Sequence, residues 1–361
     1  MRSIRVALGA HSYPIVVTDS FRALPAHLAR LRLSGFGWVV SHDALLHRYG
    51  ASLLGPLRRA GWTLKTITVP ESETSKSLAM VARVVDQVAR DSAMRVPVLF
   101  AFGGGVIGDL TGFAAAVLRR GVPYVQVPTT LLAQVDSAIG GKVGVDLPRG
   151  KNLVGAFYQP RLVWNNLSVL RSLPPRQRRS GLAEVIKYGV MGDQALFEFL
   201  EEHLEACLAL EPRAVRVMVE RSCRIKARVV AQDERETTGV RAQLNFGHTL
   251  GHALEAATGY RRWTHGEAIA IGMCASAHLA VATGRLPARE FQRIVRLIHR
   301  AGLPVRAARV AQPAILRALR YDKKFIRGRP RWVVPVRLGK VIVTEDVPEA
   351  TARRVMQDYT A

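Results

Sequence analysis

Residues 96–120 are VPVLFAFGGGVIGDLTGFAAAVLRR: an apolar run, a cluster of glycines, and a stretch rich in small residues. The apolar run 96–102 predicts a buried strand, and the residues after the glycines predict a helix. Gly103, Gly105 and Gly108 have the spacing G-x-G-x-x-G, which lets the backbone approach a pyrophosphate at a helix N-terminus. No acidic residue follows at the next strand end, about 20 residues on, so this is not an ordinary dinucleotide fingerprint. A glycine turn selected for tight packing would look the same.

The alternation of apolar runs and amphipathic stretches continues on both sides of this segment. The predicted strands are 36–41, 63–69, 96–102 and 123–127, and the predicted helices are 43–60 and 75–92. This alternation predicts a parallel α/β domain that binds its ligand at the carboxyl ends of the strands.

The second half of the chain has helical periodicity. The predicted helices are 181–210, 212–232, 245–258, 266–283 and 288–301. The turn SLPP at residues 172–175 is the natural boundary. We therefore expect an α/β domain over 1–170, with a Rossmann-like parallel sheet, and a mainly α-helical domain over 171–361.

The composition of the 361 residues, 48% of them apolar, is typical of a globular protein. No window approaches 18 uninterrupted apolar residues, and the first residues lack the apolar core of a secretory signal, so we expect no membrane partner. Cys207, Cys223 and Cys274 are an odd number without metal-type spacing, as expected for a reduced cytoplasmic protein.

The chain is strongly basic, with 52 Lys and Arg against 28 Asp and Glu and a formal net charge of +24. Such a charge suggests nucleic-acid binding, because neutralised phosphates release counterions. However, the basic residues are spread from Arg2 to Arg354, and no helix-turn-helix, zinc-finger or RNA-binding signature accompanies them. We therefore expect no nucleic-acid partner, and a surface that attracts anionic substrates.

Residues 119–159 combine basic and polar side chains with glycines. Those in predicted loops are Arg120, Lys142, Lys151 and Asn152, accompanied by Thr129, Thr130 and Asp136. Lysine beside glycine suits an anion site, since the ammonium supplies charge and the exposed amides supply directional donors. The alternative is that these lysines are solvated surface residues. Their clustering with two glycine pairs makes this alternative less favoured.

Residues 244–255, LNFGHTLGHALE, place two histidines four apart. His248 and His252 would point about 40° apart on a helix and could serve one site. Gly247 and Gly251 each lower helix stability by about 1 kcal/mol relative to alanine, which indicates close packing or a nearby ligand. The alternative is one partly buried and one exposed histidine.

Two further segments carry candidate metal ligands. Glu184 and Lys187 lie three apart on one predicted helix, where a salt bridge is the simple interpretation. Glu184 could equally complete a zinc site with two imidazoles, since catalytic zinc commonly has three protein ligands. His265 precedes Gly266 and Glu267 at a predicted helix start, where glutamate is ordinary capping chemistry.

Seven motifs in this order resemble the 3-dehydroquinate synthase family of the sugar phosphate cyclase superfamily: GGGVIGDLTGFAA, RGVPYVQVPTTLLAQVDSAIGGK, GKNLVGAFYQP, SGLAEVIKYG, NFGHTLGHALE, HGEAIAIGM and DKK. The agreement extends over essentially the whole chain and is densest from 97 to 273. The resemblance implies an NAD-binding α/β domain, a helical metal-binding domain and, usually, a homodimer. It also implies conversion of 3-deoxy-D-arabino-heptulosonate 7-phosphate, a sugar phosphate, into 3-dehydroquinate and phosphate in the shikimate pathway of aromatic amino acid biosynthesis.

The resemblance assigns zinc or cobalt ligands and substrate partners by position. The implied metal ligands are Glu184, His248 and His265. His252 would face the substrate as a hydrogen-bond or proton-transfer partner, and Lys187 and Lys226 would position the carboxylate and ring hydroxyls. The implied partners of the phosphate and other substrate oxygens are Lys142, Asn152, Arg241, Asn245, Lys323, Lys324 and, contributed across a dimer, Arg120.

The implied NAD-binding residues form four groups. They are Glu71, Ser72, Glu73, Thr74, Ser75 and Lys76; Gly105, Val106, Ile107, Gly108 and Asp109; Thr129, Thr130, Asp136, Lys142 and Lys151; and Val169, Leu170, Arg171 and Ser172. The chain departs from the usual family residues at Ser41–Asp43, Ser72, Leu118, Arg119, Val143, Asp146 and Asn166, which affects details of the NAD and loop contacts.

Three alternatives remain open. Another sugar phosphate cyclase would use the same redox and elimination chemistry on a heptulose phosphate, a glucose phosphate or an amino analogue. A metal-dependent polyol dehydrogenase would transfer hydride to free NAD. A basic nucleic-acid-binding protein would bind DNA with a steep salt dependence and need no metal.

Overall fold

The computed structural model describes residues 1–33, 35–92, 95–320, 325–326 and 329–360. The chain forms two compact units. The first comprises Met1–Leu173 together with Lys226–Arg235, and the second comprises Pro174–Ile225 and the residues from Glu236 onward. The expected fold class is confirmed: the first unit is an α/β unit and the second is mainly helical.

Among the described residues, the first unit contains nine strands and four complete α-helices. The strands are β1 Arg2–Val6, β2 Tyr13–Thr18, β3 Phe36–Ser41, β4 Thr63–Thr68, β5 Val98–Gly103, β6 Tyr124–Pro128, β7 Lys142–Leu147, β8 Gly150–Phe157 and β9 Leu162–Asn166. The helices are α1 Leu24–Arg30, α2 Asp43–Arg59, α3 Leu78–Asp91 and α4 Gly105–Val117. Seven strands form one sheet in the order β1-β2-β9-β6-β5-β3-β4, parallel except for β1, and β7 and β8 form a separate antiparallel hairpin.

Apolar side chains cover both faces of the central strands, as parallel sheets require. Because successive residues of a strand point to opposite faces, Leu99 and Ala101 pack with α3 and α4, whereas Val98, Phe100 and Phe102 pack with α1 and α2. Both faces of the sheet are therefore covered, and the carboxyl edge is the place where such sheets bind ligands.

The four predicted strands and two predicted helices of the first half are confirmed as β3 to β6, α2 and α3. The expectation that Lys142, Lys151 and Asn152 lie in loops is wrong, since they belong to the hairpin of β7 and β8. Gly144 lies opposite Gly155 in this hairpin, and a Cβ at either would collide with backbone of the other strand. The glycines that suggested loops permit close approach of two strands.

The second unit is built mainly of helices. They are α5 Pro175–Gly192, α6 Gln194–Glu202, α7 Leu204–Leu208, α8 Pro212–Gln232, α9 His248–Ala257, α10 His265–Ala282, α11 Ala288–Arg300, α12 Gln312–Arg320 and α13 Glu349–Thr360. The short strands are β10 Phe325–Ile326, β11 Arg329–Pro330, β12 Trp332–Arg337 and β13 Lys340–Thr344. Helix α8 ends within the segment that belongs to the first unit. Over the part of the chain described, none of the helices combines the length and apolarity needed to cross a membrane.

Four of the predicted helices of the second half are confirmed as α8 to α11, but the single helix predicted over 181–210 is wrong. The structure divides it into α5, α6 and α7. Asp193 ends α5 and caps α6, because its carboxylate accepts a hydrogen bond from Leu196 N at 3.1 Å. The carboxylate also forms an ion pair with Arg221, at 2.6 Å.

Candidate active site

Three ligand-type side chains from three helices converge in the second unit. Glu184 lies within α5, whereas His248 and His265 are the first residues of α9 and α10. Glu184 Oε1 lies 3.4 Å from His248 Nε2 and 3.3 Å from His265 Nε2. The structure therefore brings together the three residues implied as metal ligands from positions up to 81 residues apart in the sequence. We call this set the inner triad.

Both imidazoles of the inner triad are oriented through their second nitrogen. His248 Nδ1 lies 3.1 Å from the Phe246 carbonyl oxygen, and His265 Nδ1 lies 3.3 Å from Glu255 Oε2. With a metal bound, a proton on each Nδ1 would leave each Nε2 lone pair for the ion beside Glu184, which is the usual arrangement of metal-binding histidines. Two imidazole nitrogens and one carboxylate oxygen fit a divalent metal such as zinc or cobalt.

Lys187 modifies the electrostatics of the inner triad. Its side chain is 1% exposed, and its Nζ lies 2.5 Å from Glu184 Oε2. Burial alone would raise the pKa of Glu184, but the charge of Lys187 and hydrogen bonds from both histidines hold it well below its ordinary value. The predicted ion pair between Glu184 and Lys187 is therefore compatible with a metal-ligand role for Glu184. The ion pair uses Oε2, whereas Oε1 faces the two histidines.

The two histidines differ in their pKa. Burial and the nearby charge of Lys187 lower the pKa of His248, which favours the neutral imidazole that a metal needs. Burial also acts to lower the pKa of His265, but hydrogen bonds to Glu184 and Glu255 outweigh it and raise this pKa to about 10. A metal must therefore displace a proton from His265.

The start of α10 is fixed by a capping box. Thr264 accepts a hydrogen bond from Glu267 N at 3.3 Å, and Thr264 N donates to Glu267 Oε2 at 2.8 Å. Arg176 on α5 also binds Glu267, with its Nη2 2.7 Å from Oε2. The expected capping role of Glu267 is confirmed, and the cap holds His265 at the first position of its helix.

The remaining candidate residues of the second unit lie around this triad or in the preceding segment. His252 is exposed, and its ring centroid lies 5.2 Å from that of His248. Arg241 is buried, with Nε 3.6 Å from Glu236 Oε1, and Asn245 ends the same short 3₁₀ helix, Val240–Asn245. Lys323 and Lys324 lie outside the described residues.

The candidate NAD-binding residues of the first unit follow the carboxyl ends of four parallel strands. Segment 71–76 follows β4, 105–109 follows β5, 129–136 follows β6, and 169–172 follows β9. Adjacent β5 and β6 end together, since Thr129 N donates to Gly103 O at 2.9 Å. This edge is where open parallel sheets bind nucleotides. A Cβ at Gly108 would lie 2.9 Å from Gln126 Oε1, so a larger residue there would have to displace the Gln126 side chain.

In the first unit, Lys76 connects an implied NAD-binding residue, Asp109, with an implied phosphate-binding residue, Asn152. Its buried ammonium lies 2.6 Å from Asp109 Oδ2 and also donates to Asn152 Oδ1. Burial alone would lower the pKa of Lys76, but Asp109 raises it overall. Lys151 binds Glu73 at 2.7 Å. The hairpin of β7 and β8 is thereby tied to segment 71–76.

Three other basic candidates lie elsewhere in the first unit. Lys226 Nζ donates to the carbonyl and the carboxylate of Asp136, at 2.7 and 2.8 Å. Lys142 is exposed at the start of β7, and Arg120 is exposed at the end of a short 3₁₀ helix, with φ of 62°.

Glu255 is a residue of this site that the motif analysis did not identify. It is buried, although it carries a carboxylate, and it contacts His265. Its position seven residues after His248 places it on the same face of α9, and this spacing was the signal available in the sequence.

Comparisons with known proteins agree with the two parts of the fold. Residues 66–180 match the family model for the 3-dehydroquinate synthase N-terminal part, and residues 181–325 match that for the C-terminal part. The 2-epi-5-epi-valiolone synthase ValA from Streptomyces hygroscopicus subsp. jinggangensis 5008, solved with NAD⁺ and Zn²⁺ bound, is 28% identical, with a TM-score of 0.88 over 98% of both chains.

More distant structures share the fold. A 2-deoxy-scyllo-inosose synthase, solved with carbaglucose-6-phosphate, NAD⁺ and Co²⁺, is 24% identical, with a TM-score of 0.86 over 99% of this chain and 100% of that chain. Glycerol dehydrogenase from Schizosaccharomyces pombe is 16% identical, with a TM-score of 0.65 over 96% of this chain and 88% of that chain.

Proposed function

The chain belongs to the sugar phosphate cyclase superfamily, and we propose that within it the protein is a 3-dehydroquinate synthase dependent on NAD and on zinc or cobalt. The reaction converts 3-deoxy-D-arabino-heptulosonate 7-phosphate into 3-dehydroquinate and phosphate. The inner triad is the observation that carries the proposal, because it supplies two oriented imidazoles and an ionised carboxylate at one point.

When bound, NAD would supply transient oxidation of a ring alcohol, which acidifies the neighbouring carbon, and the divalent metal would polarise the alcohol oxygen. Phosphate then leaves by elimination, the alcohol is restored, and ring opening and an intramolecular aldol step close the carbocycle. Lys187 keeps Glu184 ionised, and exposed His252 moves a proton or hydrogen-bonds the substrate.

Cationic and amide side chains bind the two anionic groups of this substrate in our proposal. Lys187 and Lys226 position the carboxylate and ring hydroxyls, and Arg241 and Asn245 bind substrate oxygens. Asn152 accepts from Lys76 through its amide oxygen, so its amide nitrogen is the donor for a phosphate oxygen. Lys142, Lys323, Lys324 and a partner's Arg120 complete the phosphate contacts in a homodimer.

The choice of this substrate within the superfamily rests on the number of anion partners. Asn152, Lys226, Arg241, Asn245 and His252 together suit a substrate with both a carboxylate and a phosphate. A cyclase acting on a heptulose phosphate or a glucose phosphate, which lack the carboxylate, has less use for so many anion-binding side chains. We also propose a cytoplasmic location, since the three cysteines are buried thiols.

The test is a chromatographic product assay with purified protein, NAD and Zn²⁺ or Co²⁺. We expect 3-deoxy-D-arabino-heptulosonate 7-phosphate to release phosphate without net NADH accumulation, and chelation to abolish release. The assay also includes a heptulose phosphate, a glucose phosphate and the amino analogue as substrates. Preferred turnover of one of these would assign the protein to another activity of the sugar phosphate cyclase superfamily. Stoichiometric NADH formation would instead indicate a polyol dehydrogenase.

A further inference from the structure

His265 belongs to two overlapping sets of ligand-type atoms. Its Nε2 faces Glu184 Oε1 at 3.3 Å, and its Nδ1 faces Glu255 Oε2 at 3.3 Å. The donor atoms of His252, Glu255 and His265 all lie within 4.8 Å of one another. This second set, which we call the outer triad, has the same two-imidazole, one-carboxylate composition as the inner triad.

The two triads differ in their access to solvent. The side chain of Glu184 is 0% exposed and that of His248 is 10% exposed, whereas shared His265 is 28% exposed. His252 in the outer triad is exposed, and Glu255 provides a carboxylate that is 9% exposed. Exposure thus increases from Glu184 through His265 to His252. A cation that reaches the inner triad needs an entry path, and exposed His252 is the most accessible ligand-type side chain of the two triads.

We propose that the outer triad captures a divalent cation from solvent and passes it to the inner triad. The proposal rests on the proposed function in one respect, since the inner triad is taken as the resident metal site. Occupation of the outer triad is transient, so the chain holds one metal ion at equilibrium.

The shared imidazole limits the two triads to one ion at a time. His265 would offer Nε2 to an ion in the inner triad and Nδ1 to an ion in the outer triad. Transfer of the ion would exchange one metal–nitrogen bond at His265 for the other. Because a neutral imidazole offers one lone pair, it binds one ion at a time.

The experiment follows cobalt uptake rather than catalysis. The full-length protein is stripped of metal with a chelator and mixed with Co²⁺, and the visible absorption of bound Co²⁺ gives the uptake rate and the equilibrium affinity. We expect His252→Ala to take up Co²⁺ about tenfold more slowly, equivalent to about 1.4 kcal/mol in activation free energy. Its final stoichiometry and affinity should match those of the wild type. His203→Ala is the matched control, since His203 is an exposed histidine of the same unit whose ring packs on Phe199. The uptake rate of this variant should not change.

A second variant tests the carboxylate of the outer triad. Glu255→Gln keeps the side-chain shape, and we expect slower uptake together with a loss of about 10- to 100-fold in affinity, because Glu255 also orients His265. Wild-type uptake by His252→Ala would overturn the proposal. Loss of equilibrium affinity in that variant would also overturn it, because His252 would then be a resident ligand. His248→Ala separates the two proposals, because it removes an inner ligand and leaves the outer triad intact: wild-type equilibrium affinity for Co²⁺ there would contradict the inner triad and with it the proposed function.

Discussion

His265 is both a proposed metal ligand and a residue whose pKa is strongly shifted. The imidazole contacts two buried carboxylates, Glu184 and Glu255, which together raise its pKa to about 10 against the effect of burial. At neutral pH without metal, a protonated His265 balances negative charge that burial would otherwise make unfavourable. The same imidazole thus contacts the metal-ligand carboxylate of Glu184 through one nitrogen and the carboxylate of Glu255 through the other.

The first prediction concerns this residue. We expect His265→Ala to lose the bound metal while retaining the fold, because α10 keeps its capping box without the imidazole. Metal content after gel filtration and the circular dichroism spectrum measure the two effects. His299→Ala, at an exposed site on α11, is the control and should retain metal. A His265→Ala protein with wild-type metal content would reassign the third ligand.

At the scale of secondary-structure elements, close packing of helices positions the inner triad. Helices α5, α9 and α10 approach one another at glycines: a Cβ on Gly266 would collide with the backbone of Ser180, and one on Gly272 with the backbone of Gly247. Gly247 also adopts φ of 79°, which favours glycine, at the cap of α9. The glycines of the histidine motif thus serve close packing, which brings three helices near enough for short side chains to share one ion.

The second prediction tests this packing. We expect Gly272→Ala to lower the free energy of unfolding of the helical unit by about 1–3 kcal/mol, because the added methyl group meets backbone that cannot rotate away. Gly50→Ala in α2 is the control. Its Cβ would make ordinary contacts at 3.8 Å with Leu46, so the α/β unit should be stabilised by about 0.5–1 kcal/mol. Urea unfolding followed for each unit gives both values, and an unchanged Gly272→Ala protein would contradict the packing argument.

The third prediction concerns the junction between α5 and α6. Burial acts to raise the pKa of Asp193, but hydrogen bonds from Arg221 and Leu196 lower it overall. A lowered carboxyl pKa means that the stabilisation is complete above the ordinary value of 3.8 and is lost as the pH falls through the folded-state pKa.

We therefore expect Asp193→Ala to lower the free energy of unfolding by about 1–2 kcal/mol at pH 7, through loss of the cap and the ion pair. Asp193→Asn keeps the cap and should lose about half of this. The difference between wild type and Asp193→Asn should shrink as the pH is lowered below 4, measured by urea unfolding. A pH-independent difference would show that the charge of Asp193 does not contribute.

At the scale of the whole molecule, the formal charge of +24 acts over distances longer than any single contact. Such a field concentrates anionic ligands near the protein and weakens as salt screens it. A substrate with a carboxylate and a phosphate is the kind of ligand that gains from this field, so the basic surface is consistent with the proposed function without a nucleic-acid partner.

The fourth prediction follows from this charge. We expect kcat/KM for the anionic sugar phosphate to fall by roughly tenfold as sodium chloride is raised from about 0.05 to 0.5 M, while kcat changes little. Steady-state assays at fixed pH and saturating NAD measure both constants. A kcat/KM that is insensitive to salt would exclude attraction by the surface charge. Steeply salt-dependent binding of DNA would instead support the nucleic-acid alternative.

The amino-acid sequence by itself determined the features that depend on local patterns. Apolar periodicity located β3 to β6 and helices α8 to α11, because burial of one face is repeated along each element. The motifs carrying Glu184, His248 and His265 identified a possible metal site, because only certain side chains can bind a divalent cation.

Tertiary structure decided the features that require distant segments to meet. Strand β2 pairs with β9, where Ile15 lies beside Val163, and no local pattern contains such a partner. The hairpin of β7 and β8 could not be predicted from the sequence, because its glycines resemble those of a loop. Their role is visible only in the structure, where Gly144 lies opposite Gly155. Glu255 acquires its role only where α9 meets α10, since orienting an imidazole depends on distance in space rather than on position in the chain.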